Sequence, residues 1–292
     1  MKILNNETES IVELRRISER TNYDNNDDIN SLVRKILDDV KINGDEALIK
    51  YNYEYDGFKA KSLQICQKEL EDAWQSTNID LKKSLENAKL RIESFHQKQV
   101  PQSFSIKSSS GDCVQRRWLP VSKAGIYVPG GRAAYPSTVL MNAIPAKVAG
   151  VQEIIMVSPA NKEGKINKTV LAAAYLAGVS KVFRVGGAQA IGALAFGTKS
   201  INKVDVISGP GNIYVTTAKK LIYGSTGIDS LAGPSEILII ADNSAKSDQL
   251  ASDLLAQAEH DTLASAILLT TSSVQAQAVN DEIYRQLENH PR

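Results

Sequence analysis

Apolar side chains recur at helical spacing in the first hundred residues. One stripe, at intervals of three and four positions, comprises Ile29, Leu32, Val33, Ile36, Leu37 and Val40. This spacing places all of them on one helix face, with Asp27 and Asp28 at the start and Gly44 just past the end. A second stripe comprises Leu81, Leu85, Ala88, Ile92 and Phe95. We therefore predict an N-terminal helical region whose apolar faces pack on the rest of the chain or on a second subunit.

From about residue 114 the pattern changes to short β-rich runs that alternate with Ala- and Leu-rich helical segments. The runs are 126–128, 153–157, 181–185 and 204–207, and the segments between them are 137–148, 168–177 and 189–196. Gly178 directly follows the second segment, where a helix C-cap belongs. This alternation is typical of βαβ units and predicts a parallel sheet with helices packed on it.

The residues from 236 onward repeat the alternation with two predicted strands, 236–240 and 265–269, and two helices, which begin near 247 and 274. Two interpretations are open. Either both strands extend the preceding sheet, or they form an incomplete second α/β unit. An isolated two-stranded sheet would expose an edge and much of an apolar face.

Composition supports this division and excludes several classes of protein. Fifteen of the 18 glycines fall between positions 120 and 235, whereas the first hundred residues hold only two. The 292 residues are 42% hydrophobic and carry a net charge of +1, which argues against intrinsic disorder and against a nucleic-acid partner. No apolar run approaches the roughly 20 residues that a membrane helix needs, and the polar N-terminus is unlike a signal peptide.

The two cysteines, Cys66 and Cys113, are too few for a disulfide framework and too sparse for a cysteine-based zinc site. We expect reduced thiols in a cytoplasmic protein with no membrane partner.

Two glycine-rich segments each separate a predicted strand from a helix. Residues 129–131 are Pro-Gly-Gly, and Gly186-Gly187 precedes a helix that carries Gln189. At the carboxyl end of a parallel strand, glycines let a ligand approach the backbone, and a helix N-terminus offers free N–H groups. A tight turn and close strand–helix packing would explain the same residues, so both interpretations stay open.

Two further segments carry weaker signals. Residues 208–212 contain a G-x-G, but the dinucleotide fingerprint would need a glycine in place of Tyr214, so a standard Rossmann assignment fails. A phosphate-binding turn remains compatible, because Asn212 is suited to cap the helix. Gln257 and His260 share a helix face, as two metal ligands would, although a polar helix end explains them too.

Taken together, these segments carry more information than each does alone. Two further motifs join them, Pro-Ser-Thr-Val-Leu-Met from 136 and Ala-Gly-Pro-Ser-Glu from 232, and Gln257 and His260 belong to the motif Gln-Ala-Glu-His. In this order they resemble the histidinol dehydrogenase family, from about residue 10 onward. The resemblance implies a zinc enzyme that uses NAD⁺ to oxidise L-histidinol through histidinaldehyde to L-histidine. It also implies a homodimer with two related, incomplete Rossmann-like units.

The resemblance also assigns roles to individual residues. The positions that contact NAD in the family are matched by Tyr127, Gln189 and Asn212. Ser235 matches a substrate-binding serine, whereas Gln257 and His260 match two zinc ligands that also face the substrate. The zinc of the family holds the substrate nitrogens and acts mainly as a template.

The family's catalytic Glu-His pair and its remaining Asp and His zinc ligands match positions C-terminal to residue 292. We therefore expect no catalytic residue in this chain, weak zinc binding and negligible histidinol oxidation by it alone. The resemblance favours the incomplete second unit. The predicted fold is α/β, with an N-terminal helical region at 1–112, a Rossmann-like parallel sheet unit at 113–234 and the start of a second α/β unit at 235–292.

Two alternative functions stay open. Relatives of this family oxidise other small alcohols, including a sulfonated diol, and the residues that select the substrate mostly match positions beyond this chain. The second alternative is a non-catalytic module that binds NAD or mediates dimerisation, and a titration with NAD⁺ would test it.

Overall fold

A computed structural model describes residues 2–19, 27–59, 62–130, 134–231, 236–259 and 264–288. The chain divides into two compact units. The larger unit comprises residues 27–231, and the smaller unit comprises residues 1–26 and 232–292. The predicted α/β class is confirmed, whereas the predicted domain boundaries remain a prediction.

The larger unit contains seven described helices and strands before its central strand β4, and nine described elements from that strand onward. The N-terminal elements are α2 (Asp27–Asn43), α3 (Asp45–Asp56), β1 (Gln64–Ile65), α4 (Gln67–Gln75), α5 (Ile79–Gln97), β2 (Phe104–Lys107) and β3 (Cys113–Arg116). The others are β4 (Lys123–Tyr127), α6 (Pro136–Val148), β5 (Glu153–Ser158), α7 (Lys168–Ala177), β6 (Lys181–Arg184), α8 (Gly187–Phe196), β7 (Val206–Ser208), α9 (Ile213–Ile222) and β8 (Gly227–Ile228).

Six of these strands form one sheet in the order β1-β6-β5-β4-β7-β8. The five strands from β4 to β8 are parallel, and β1 pairs antiparallel with β6 at one edge. Counted from β4, the parallel strands lie in the order 3-2-1-4-5, which matches the beginning of the doubly wound dinucleotide-binding arrangement. The strand order reverses beside β4, so a ligand crevice is expected at its carboxyl end.

Helices cover both faces of this sheet. Ile155 and Val157 of β5 pack into one core cluster with α2 and α8, whereas Ile154 and Met156 pack into the other with α6 and α7. The alternation follows the two-residue period of a strand. Four residues of the predicted stripe, Val33, Ile36, Leu37 and Val40, are buried where α2 packs on α8, whereas Leu32 is 40% exposed. A Cβ on Gly192 would lie only 3.1 Å from Leu37 Cδ2. The stripe therefore packs within the chain.

The antiparallel hairpin of β2 and β3, whose residues are all exposed, is absent from the elements predicted by the apolar pattern. Both strands are only four residues long and neither has a buried face, so no apolar alternation marks them. The predicted strands 126–128 and 204–207 correspond to β4 at Lys123–Tyr127 and β7 at Val206–Ser208, so their boundaries differ by one to three residues.

The smaller unit contains α1 (Glu7–Glu19), β9 (Glu236–Ile240), α10 (Ser247–Ala258), β10 (Ser265–Leu269) and α11 (Ser273–Leu287). Strands β9 and β10 form a separate two-stranded parallel sheet, so they do not extend the larger one. One face of this sheet packs on α10 and α11, and its other face exposes Leu238, Ile240 and Leu269. Among the described helices of both units, none is long and apolar enough to cross a membrane.

Candidate functional site

Three loops of the larger unit meet at the carboxyl ends of β4, β5 and β6. A Cβ on Gly130 would lie 2.7 Å from Pro159 Cγ, and one on Gly186 would lie 2.6 Å from Pro159 Cβ. Both glycines are therefore needed for the loops to close around Pro159. This contact joins loops, so it bears out neither the tight turn nor the strand–helix packing given as alternatives for these glycines, and it shapes the crevice beside them.

The loop after β7 approaches the end of β4 even more closely. Gly209 has a φ of +113°, and a Cβ there would lie 2.1 Å from the carbonyl oxygen of Tyr127. No other residue fits, because the conformation and the contact both exclude a side chain. This contact lies beside β4, where the strand order reverses.

A cavity of about 790 Å³ opens in front of these loops, and its lining comes from the larger unit alone. A volume of this size is typical of ligand pockets. Tyr127, Gln189 and Asn212 all line it, so the fold brings the three predicted NAD-contacting residues together. Ser235 and His260 lie outside the described residues, and Gln257 is a half-buried residue near the end of α10 in the smaller unit.

The Tyr127 hydroxyl stands at the start of α8. It is buried, with 4% of the residue exposed, and accepts a hydrogen bond of 3.2 Å from the Gly187 N–H. Burial raises the pKa of Tyr127 to about 12, so the hydroxyl is protonated at neutral pH. Its own hydrogen is therefore available to a ligand in the cavity.

The Gln189 side chain lies in the first turn of the same helix and is 1% exposed. Its Oε1 atom has no hydrogen-bond partner in the part of the chain that is described. An unsatisfied buried acceptor costs about 1–3 kcal/mol, so this atom is a strong indication of a missing donor. Helix α8 also has no side-chain cap at Gly186, which leaves N–H groups of its first turn for an anion.

Asn212 caps helix α9, as predicted, because its Oδ1 accepts a hydrogen bond of 3.1 Å from the Val215 N–H. The amide nitrogen of Asn212 is left to donate elsewhere. The preceding turn is braced by Asp229, which accepts a hydrogen bond of 2.8 Å from the Gly209 N–H, and by Lys219, whose Nζ donates to the Gly209 carbonyl at 3.1 Å. Lys219 and Asp229 also form an ion pair.

Two charged residues near the cavity, Lys219 and Asp56, are not indicated by any sequence motif. Lys219 is 2% exposed although it lies in a helix whose lysines suggest a solvated surface. Asp56, the last residue of α3, lines the cavity, and burial raises the pKa of its carboxyl to about 6. Neither residue belongs to a recognisable motif, because each reaches the site only through the packing of distant elements.

The described residues do not fit a zinc site of three or four protein ligands. Among them no group of three or more His, Cys, Asp or Glu side chains could hold a metal ion. The predicted ligands Gln257 and His260 stay predictions, and we assign no zinc-dependent step to these residues.

The family model of histidinol dehydrogenase matches residues 19–292. The histidinol dehydrogenase of Prochlorococcus marinus subsp. pastoris is 69% identical over 292 residues, which are all of this chain and 68% of that relative. The histidinol dehydrogenase of a Synechococcus strain is 52% identical over 294 residues, and again 68% of the relative is covered. The chain thus spans about two thirds of the length of these relatives.

The crystal structure of histidinol dehydrogenase from Elizabethkingia anophelis has the same fold. It matches with a TM-score of 0.84 and 38% identity, over 89% of this chain and 60% of that one. The matched family model, the relatives and this fold agree with the motifs that surround the cavity. The chain belongs to the histidinol dehydrogenase family.

Proposed function

We propose that the cavity of the larger unit binds NAD⁺, and that the chain serves the oxidation of L-histidinol through histidinaldehyde to L-histidine. The family consists of NAD-dependent oxidoreductases of histidine biosynthesis. The observation that carries the proposal is the buried, unpartnered Oε1 of Gln189 beside the uncapped start of α8. A ligand that carries both an anion and hydrogen-bond donors satisfies both features.

The residues around the cavity divide the work of holding the nucleotide. The N-termini of α8 and α9 offer backbone N–H groups and a positive dipole end to the pyrophosphate. The Tyr127 hydroxyl donates to an acceptor of the ligand, Gln189 Oε1 accepts from a donor, and the Asn212 amide nitrogen donates. When bound, NAD⁺ supplies the hydride acceptor of the dehydrogenation.

The substrate side of the proposal rests on family membership. Ser235, Gln257 and His260 are proposed to contact L-histidinol, the last two through a zinc ion that holds the substrate in place. A cytoplasmic homodimer is proposed on the same ground.

Calorimetric titration of the 292-residue chain with NAD⁺ tests the cavity directly. We expect saturable binding that Gln189→Ala weakens by about 10-fold, the loss expected for a buried hydrogen bond. Gln75→Ala removes an exposed glutamine at the end of α4, away from the cavity, and serves as the matched control. Absence of binding, or equal affinities of the two variants, would overturn the assignment of the cavity.

Formation of NADH from L-histidinol, with zinc present, tests the catalytic part separately. The family resemblance assigns none of the residues 1–292 to the catalytic pair, so we expect little turnover by this chain. Turnover close to that of an intact relative would mean that residues of this chain supply the acid–base chemistry.

A further inference from the structure

The strand that usually recognises the adenosine ribose carries no acidic residue at its carboxyl end in this protein. In doubly wound dinucleotide sites, an Asp or Glu about 20 residues after the first glycine turn accepts the hydrogen bond of the ribose 2′-hydroxyl. The corresponding strand is β5, the neighbour of β4, and it leads into Ser158, Pro159 and Ala160. All three line the cavity, and none of them carries a charge.

A carboxylate reaches the same side of the cavity from another element, the end of α3. Gly57 ends this helix with a φ of +68°, and a Cβ there would lie 3.4 Å from Lys162 Cγ. The Phe58 ring packs so closely on Gly164 that a Cβ on Gly164 would lie 2.2 Å from a ring carbon of Phe58. These contacts hold the end of α3, and with it Asp56, against the loop that connects β5 to α7.

Asp56 has no hydrogen bond or ion pair among the residues that the structure describes. Its burial raises the pKa of the carboxyl to about 6, which means that the ionised form lacks compensating partners. It is the one acidic side chain in the described lining of the cavity, where Lys162 and Lys165 are exposed. A ligand with two adjacent hydroxyls supplies the donors that this carboxylate lacks.

We propose that Asp56 accepts hydrogen bonds from the adenosine-ribose hydroxyls of the dinucleotide and thereby selects NAD⁺ over NADP⁺. The inference rests on the proposed function, because it requires the cavity to be the nucleotide site. In NADP⁺ a phosphate replaces the hydrogen of the adenosine 2′-hydroxyl. NADP⁺ therefore lacks the donor for the hydrogen bond to Asp56, and its phosphate and the Asp56 carboxylate repel each other. Asp56 thus takes the role that the end of β5 leaves vacant.

The first test compares the affinities of NAD⁺ and NADP⁺ for the wild-type chain, Asp56→Asn and Glu54→Gln. We expect Asp56→Asn to weaken NAD⁺ binding by about 10- to 100-fold, as for a lost charged hydrogen bond, and to leave NADP⁺ binding equal or stronger. Glu54→Gln removes the same charge from an exposed position of α3 and should leave the preference unchanged. An unchanged preference in Asp56→Asn would overturn the proposal.

The second test uses an NAD⁺ analogue that lacks the adenosine 2′-hydroxyl. The wild-type chain should bind the analogue more weakly than NAD⁺, whereas Asp56→Ala should bind both within about twofold, because this variant has no side chain left to accept the hydrogen bond. If Asp56 has only a structural role, its substitution would lower the affinities for NAD⁺ and for the analogue by the same factor, and this result would overturn the proposal. Wild-type binding of NAD⁺ and analogue with equal affinity would overturn it without any variant. Failure of the wild-type chain to bind NAD⁺ at all would refute the proposed function itself.

Discussion

The two units use the same alternation of strands and helices but differ in how completely they bury their sheets. In the larger unit, β5 has a buried residue at five of its six positions, and helices pack on both faces. In the smaller unit, β9 alternates between half-buried and exposed residues, and Ile240 is 75% exposed. Burial on two faces is what a parallel sheet normally requires.

This difference extends to ligand binding. In the larger unit, adjacent parallel strands deliver their loops to one edge, where the glycines allow them to meet around Pro159. The smaller unit has two described strands, so fewer loops converge at its edge. A ligand crevice therefore requires several neighbouring parallel strands, and the alternation of strands and helices alone does not produce one.

The largest effect is expected for Phe183→Ala in β6. Phe183 is completely buried between the sheet and the α2–α8 layer, so its truncation should lower the free energy of unfolding by about 3–5 kcal/mol. Urea unfolding followed by tryptophan fluorescence measures this, because Trp74 and Trp118 both lie in the larger unit. The control is Leu238→Ala on the exposed face of β9, and its unfolding is followed by circular dichroism because residues 232–292 contain no tryptophan. A similar loss in both variants would contradict the contrast.

Lys219→Met should cost somewhat less, about 2–3 kcal/mol, because it leaves Asp229 and the Gly209 carbonyl without their buried cation. The turn before Asn212 loses its brace, so NAD⁺ affinity should fall as well. Lys220→Met changes an exposed lysine of the same helix and is the matched control. A stable variant with normal affinity would show that the turn holds its shape without Lys219.

Asp56→Asn should stabilise the larger unit while it weakens the binding of NAD⁺. The folded-state pKa is about 6 and the ordinary value is 3.8, so the folded chain holds the proton more tightly than the unfolded chain. The wild type therefore loses stability as the pH rises from about 4 to 6, and the loss is constant above that range. We expect the variant to be more stable by about 1–2 kcal/mol at pH 8 and nearly equal at pH 4. An equal gain at both pH values would exclude titration of Asp56 as its cause.

Local patterns predicted much of the fold. The stripe of α2 and the glycine C-cap at Gly178 depend on neighbouring residues, and the structure has both as predicted. The sequence around Gly186 was compatible both with close packing and with ligand binding. The residue that Gly186 contacts, Pro159, follows another strand and is distant in sequence, so local spacing did not reveal the contact. The position of Asp56 was not predictable, since the end of α3 reaches the cavity only through contacts distant in sequence.

Asn212→Ala should cost about 1 kcal/mol through the lost cap of α9 and should also weaken NAD⁺ binding. Asn78 caps α5 in the same way, with its Oδ1 accepting a hydrogen bond of 2.8 Å from the Leu81 N–H. Asn78→Ala is therefore matched in stability, and we expect it to leave NAD⁺ affinity unchanged. Asn212→Asp separates the two roles, because it keeps the cap but removes the amide donor. Normal affinity of Asn212→Asp would mean that only the cap matters.

The smallest effect is expected on the open face of the smaller unit. Leu238→Lys places a charge where the side chain is already 57% exposed, so stability should change by no more than about 0.5 kcal/mol. Ile239→Lys, one residue along the strand, points to the opposite face and contacts the core of α10 and α11. Hydrogen exchange of residues 236–288 should therefore accelerate in Ile239→Lys and stay unchanged in Leu238→Lys. If Leu238→Lys also accelerates exchange, the exposed face of this sheet is packed against another surface in solution. The two sheets would then differ in what covers their second face, and not in whether it is covered.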